Sequence, residues 1–172
     1  MDALRYPIGP APLLTVPLTP AERAAHLQQL AELPAQLAAA AEQLGATKLA
    51  RPYRPGGWTG HQVVHHVADS HLNAYTRFKL ALTEDNPTIK PYDEAAWAEL
   101  PDVAAEAAAT SLQLLASLHR RWVALLQPLS FEQWQRTFYH PESRETTTLD
   151  QALATYAWHG RHHLAHLGLL AG

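Results

Sequence analysis

The chain has no cysteine, so it can build neither a disulfide framework nor a thiolate metal site. Any metal it holds must be held by nitrogen and oxygen. Neither sign of charge dominates: 13 Lys and Arg stand against 16 Asp and Glu, a formal net charge of -3. No basic run or patch appears, which removes the electrostatic case for nucleic acid as a partner. No apolar run reaches the roughly 18 residues that span a bilayer. The start, Met1-Asp-Ala-Leu-Arg-Tyr-Pro, lacks the basic-then-apolar order of a signal peptide. These absences predict a cytoplasmic protein with no membrane partner. Valine and isoleucine are sparse beside alanine and leucine, which favours helix over sheet. At 172 residues the chain is about one domain, so residues 1–172 are read as a single unit.

What the chain has in quantity is histidine. Of its 11 histidines, four fall in the run Trp158-His-Gly-Arg-His-His-Leu-Ala-His166. His159 and His163 are four apart, so on a helix both imidazoles leave the same side. A helix uses that spacing to give two nitrogens to one metal ion, as in zinc-binding HExxH helices. A third donor must come from elsewhere, and His65-His66 is the obvious source. Spacing alone leaves an ordinary His-rich helix as the alternative.

Residues 1–19 hold Pro7, Pro10, Pro12 and Pro17 and read as an extended arm. Its Leu4, Tyr6, Ile8, Leu13 and Leu14 predict that the arm packs on a surface, its own or a partner's. Thr19-Pro-Ala-Glu22 is a capping box with proline at the first helical position. The helix it opens runs to about Leu44, with Gly45 as C-terminal cap and Pro34 kinking or splitting it. Residues 46–58 form a Pro- and Gly-rich loop.

Thr59-Gly-His-Gln62 opens a second helix that ends near Thr83. Val63, Val67, Ala74, Tyr75, Phe78 and Leu82 form its apolar stripe. Beside that stripe runs a polar strip of His66, Ser70, Asn73 and Arg77, read as a pocket lining, with a solvated flank as the alternative. Residues 84–101 are a long crossover, with a short helix around Trp97 and the length of a functional lid. Asp102 caps a third long helix, with Leu112, Leu115, Leu118, Trp122 and Leu126 on one face and Pro128 ending it. Ser130-Phe-Glu-Gln133 begins a short helix, residues 137–147 are a polar connection without strand alternation, and Thr148-Leu-Asp-Gln151 caps the last helix. The fold class is all-α: a four-helix bundle with a long crossover loop and an extended N-terminal arm. Bundles of this kind build metal sites from side chains that point inward.

On a helical wheel, His163 lies about 40° and His159 about 80° from the centre of the last helix's apolar stripe. His162 and His166 share the spacing but lie further round, towards solvent. On the second helix His71 falls within the apolar stripe and reads as a hydrogen-bonded core residue. His66 lies on the polar strip and His65 further still, so geometry leaves His66 and His71 nearly tied as third donor. His26, His61, His119 and His140 have no supporting partner and read as surface or packing residues.

A resemblance separates the tied pair. The runs Leu4 to Gly9, Tyr53 to His71, Asn73 to Glu84, Pro91 to Glu94, Phe138 to Pro141 and Tyr156 to His166 resemble the YfiT-type branch of the DinB-like metal-dependent hydrolases. The similarity covers nearly the whole chain. It implies a four-helix bundle with one divalent metal per chain, held by His66, His159 and His163, and a homodimer in the cytoplasm.

Three neutral imidazoles leave coordination positions open, as catalytic rather than structural sites do. Zinc is the expected metal and nickel the alternative, because imidazole suits both. Zinc so held can bring a water pKa to about 7 and polarise a carbonyl, giving a hydrolase. It can also hold a substrate thiol as thiolate, giving a thiol S-transferase that acts on electrophiles. Bundles related to this one resemble such transferases, which use low-molecular-weight thiols such as bacillithiol. The third reading is a metal-binding dimeric protein without turnover. The expected partner is a small-molecule substrate.

The last helix has no carboxylate at HExxH-like spacing, so no general base is evident there. Asp69, one turn from His65, either orients an imidazole or faces solvent. Arg77 and Asn73 could bind a substrate carboxylate or amide, and Trp158 either walls the pocket or is an ordinary core residue.

Overall fold

The computed structural model describes residues 3–172; Met1 and Asp2, the first two positions of the expected arm, lie outside the described residues. In chain order the elements are α1 (Pro20–Leu49), α2 (Gly60–Thr83), the short α3 (Glu94–Trp97) and α4 (Pro101–Ala105), α5 (Ala108–Leu126), the short α6 (Phe131–Trp134), β1 (Thr137–His140), β2 (Glu145–Thr148) and α7 (Leu149–Leu169). The long helices α1, α2, α5 and α7 form a four-helix bundle. Its two diagonals are α1 with α2 and α5 with α7: each of the first pair packs on both of the second.

Capping chemistry starts the helices where the sequence places it. Thr19 with Glu22, Thr59 with Gln62, Ser130 with Gln133 and Thr148 with Gln151 each form a reciprocal capping box. Such a cap contributes about 1 kcal/mol.

Four expectations need correction. Pro34 does not split α1; the bend is at Gly45, whose φ of 66° and ψ of 170° leave the helical region. The carbonyl that Pro34 deprives of its N–H is that of Leu30, and the His119 ring nitrogen Nδ1, 2.6 Å away, serves it instead. Residues 46–49 then resume helix before the loop begins.

The third long helix does not start at Asp102. That residue lies inside α4, and Glu106, with ψ 144°, separates α4 from α5. Alanine-rich sequence on both sides carries no breaker. The turned-out Glu106 carbonyl instead accepts from His61 Nε2 at 3.0 Å, a contact only the folded chain can make.

The polar connection 137–147 contains an antiparallel hairpin, with Thr137 opposite Thr148 and His140 opposite Glu145. Only Phe138 of these strands is fully buried, so no apolar alternation marks them. Arg144 turns the hairpin at φ 57°.

The arm packs only in part. Leu18 is buried and Leu14 rests on the core, but Leu13 is 93% exposed and Val16 70%. Its inner end is fixed by the buried Asp150 at the start of α7, which accepts from Leu18 N at 3.2 Å and pairs with Arg23 at 2.8 Å.

The core is two apolar clusters with a histidine layer between them. One contains Leu30, Phe78, Trp122, Leu149 and Leu153; the other contains Leu33, Leu37, Val63, Val67, Leu115 and Leu167. On α2, His71 falls between Ala68 of one cluster and Ala74 of the other; on α7, His159 and His163 fall between Tyr156 and Leu167. Gly160 sits in this layer because a Cβ there would stand 2.3 Å from Leu33 Cδ2, so α1 and α7 approach closely at that level.

Candidate metal centre

The capping box at Thr59 starts α2 so that Val63, Val64 and Val67 turn into the core and carry His66 with them. The box at Thr148 does the same for α7, whose Leu149, Leu153 and Leu167 are buried. The two helices pack side by side. His66 therefore meets His159 and His163: the ring centroids are 5.3 Å apart for His66 and His159, 4.8 Å for His66 and His163, and 4.5 Å for His159 and His163. One nitrogen from each ring lies within 4.8 Å of the others.

Burial sets the charge of these rings. It pushes the His66 imidazole down to about 4, and His162 and His166 nearby push the same way. His159 and His163 lie well below the usual imidazole range, first through burial and then through neighbouring histidines. All three are neutral at pH 7, the form that offers a lone pair to a metal.

The donor set fits a divalent ion. Zinc–imidazole bonds of about 2.0–2.1 Å in a tetrahedron place neighbouring nitrogens about 3.3–3.4 Å apart. His66 Nε2 and His159 Nε2 are 3.3 Å apart.

The three rings line a cavity of about 390 Å³ that Trp158, Arg54, Arg5 and Glu94 also line. Trp58 packs on His66 at 4.6 Å, and Trp158 stacks on His162 at 4.5 Å. A larger hollow, the alanine-lined groove between α1 and α5, has His119 as the one imidazole among its described lining residues.

Of the other residues singled out in the sequence, Trp158 lines the cavity and the rest are dispersed. Of the polar strip on α2 only His66 lines this cavity; Ser70, Asn73 and Arg77 do not. Ser70 is buried, Asn73 donates to its own helix at the Asp69 carbonyl (2.9 Å), and Arg77 donates to the Tyr156 hydroxyl (3.0 Å). Arg77 thus ties α2 to α7, away from the cavity lining. Among the described residues, Asp69 makes no side-chain hydrogen bond to an imidazole; burial, followed by Asp102, raises its carboxyl.

His162 and His166, placed towards solvent by the wheel, are 7% and 2% exposed. The arm and the 51–58 loop cover them: Tyr53 stacks on His166 at 4.0 Å, and Tyr6 lies 6.1 Å from His162. His65 is also buried, with Nδ1 2.8 Å from Ser111 Oγ.

Glu94 is the residue that motif reasoning missed. It opens α3 within the crossover and is one of the residues that line the histidine cavity. Glu94 stays exposed, and partial desolvation holds its carboxyl above the ordinary range, against the opposing pull of Arg77. Its only sequence signal was membership of the Pro91 to Glu94 run.

The sequence pattern of the DinB superfamily matches residues 17–167. A Bacillus cereus protein provisionally named a metal-dependent hydrolase is 53% identical over 167 residues, covering 97% of this chain and 95% of its own. A Bacillus pumilus protein with the same provisional name is 50% identical over 170 residues, covering 97% and 94%. The solved structure of Bacillus subtilis YfiT, described as a four-helix bundle of unusual topology, superposes with a TM-score of 0.95 at 48% identity, covering 98% of this chain and 96% of that one.

Proposed function

This chain belongs to the DinB superfamily, and from that premise we propose that it is a metal-dependent hydrolase with one divalent cation, zinc or alternatively nickel, held by His66, His159 and His163. The observation that carries this reading is the convergence of three neutral ring nitrogens, from two helices, within 4.8 Å of one another. When bound, the ion supplies Lewis acidity, which acidifies water towards a pKa of about 7 and polarises a carbonyl.

The chain supplies the rest. Three protein nitrogens would leave a bound ion with room for water or substrate, and all three rings line the cavity. Glu94 lines it too, and a carboxyl held above its ordinary range by partial desolvation is suited to take a proton from water and return it to a leaving group. Arg5 and Arg54 bring positive charge to the same wall, which suits a substrate carrying a carboxylate or phosphate. Trp58 and Trp158 give that wall flat apolar surface and limit water around the histidines.

The test is an assay of the zinc-loaded protein against ester and amide panels, run with and without low-molecular-weight thiols. Hydrolysis that needs metal and no thiol is the expected result. A thioether conjugate formed with an electrophile only when thiol is present would replace hydrolysis with S-transfer. Stoichiometric zinc with neither reaction would leave a binding protein.

A further inference from the structure

We propose that His71 and His119 form a positioning relay that holds the His159 ring in its Nδ1–H tautomer and so reserves Nε2 for the metal. The inference rests on His159 being a ligand, as proposed above. It starts from Pro34, whose missing N–H leaves the Leu30 carbonyl without its helical partner. A carbonyl can only accept, so His119 Nδ1, 2.6 Å from Leu30 O, must carry a hydrogen.

A neutral imidazole has one N–H, which leaves His119 Nε2 bare. It accepts from His71 Nδ1–H at 2.9 Å. His71 Nε2, bare in turn, accepts from His159 Nδ1–H at 3.1 Å. His159 Nε2 is left with a lone pair, and this is the atom 3.3 Å from His66 Nε2. Each link forces the next, so one backbone carbonyl sets the direction of three rings.

Packing keeps the rings in place. His71 is fully buried, lies nearly parallel to His119 with 10° between the planes, and meets Trp122 edge-on at 90°. A second, shorter chain reaches the same end on the next turn of α7. His166 Nε2 donates to the Arg5 carbonyl at 3.2 Å, and His166 Nδ1 lies 3.3 Å from His163 Nδ1. By the same logic His163 keeps Nε2 free. Metal-ligating histidines generally need such partners on the second nitrogen. Here the partners are further imidazoles, so the outer support is a buried chain rather than a single carboxylate.

Long-range ¹H–¹⁵N spectra of the metal-free, full-length protein read the tautomer of each ring. The expected result is Nδ1–H for His119, His71 and His159, and Nε2–H for His166. Zinc competition against a chromophoric chelator supplies the second readout. His71→Phe keeps a ring but cuts the chain, and should weaken zinc binding by about 10–100-fold. His71→Gln keeps a donor and an acceptor and should restore most of that loss. An Nε2–H tautomer at His159 in the wild-type protein overturns the relay, as does a folded His71→Phe protein with wild-type zinc affinity. If His71→Phe does not fold, the wild-type spectrum decides alone. Wild-type protein that binds no zinc overturns the ligand reading and the relay's purpose with it; the spectrum, which needs no metal, tells the two failures apart.

Discussion

Helix α7 carries two histidine pairs of the same spacing, His159 with His163 and His162 with His166, and they differ in what stands opposite them. The first pair faces α2 and meets His66. The second faces the N-terminal arm and the 51–58 loop, and meets Tyr6, Tyr53 and the Arg5 carbonyl. Both pairs are largely enclosed, so burial does not distinguish them. A helix can present two donors anywhere along its length, whereas a site for one cation needs a third from another element. The second pair has aromatic rings and a backbone oxygen where the first has an imidazole.

The largest expected effect breaks the first pair. His163→Ala should lose stoichiometric metal and all metal-dependent activity while keeping its helical circular dichroism. A variant that still carries one metal per chain would shift the site towards the second pair or elsewhere. Next, Glu94→Gln should keep the metal but lower kcat by about 10²–10⁴-fold, the usual worth of a general acid–base group. An unchanged rate would confine the chemistry to the histidines and remove the crossover from it.

Lowering pH acts on both pairs together. Burial holds these rings below the ordinary imidazole value, so the unfolded chain takes up protons that the folded chain refuses. Stability of the metal-free protein should be full above about pH 6.5 and should fall as pH drops, with the His66 contribution gone near pH 4. A depression from 6.5 to about 4 corresponds to about 3 kcal/mol for that ring. Urea midpoints that stay level from pH 7 to pH 5 would contradict it. The smallest effect sharpens the contrast: His162→Ala should retain metal and cost about 1 kcal/mol, through its lost stacking on Trp158.

Local chemistry made much of this legible in advance. The four capping boxes involve residues three apart, so a few side chains and backbone groups settle them before any tertiary contact forms. The i,i+4 spacing of His159 and His163 is likewise fixed by helix geometry. Features that failed to show in the sequence depend on distant partners. Pro34 looks like a helix breaker until the His119 ring, brought by α5, serves the carbonyl it exposes. The α4–α5 break has no local signal because His61 stabilises it from another helix. Glu94 carries no motif, since its only qualification is where the crossover carries it.

The sequence alone determined the helical class, the helix starts and the face from which two imidazoles leave α7, because each follows from the backbone period and from neighbours within a turn. Only the tertiary structure decided that His66 completes the cluster geometrically, that His162 and His166 are covered, and that His71 and His119 support His159 in one direction. A single N–H or lone pair pointing between helices changes no periodicity. Its partner lies scores of residues away, and only packing brings the two together.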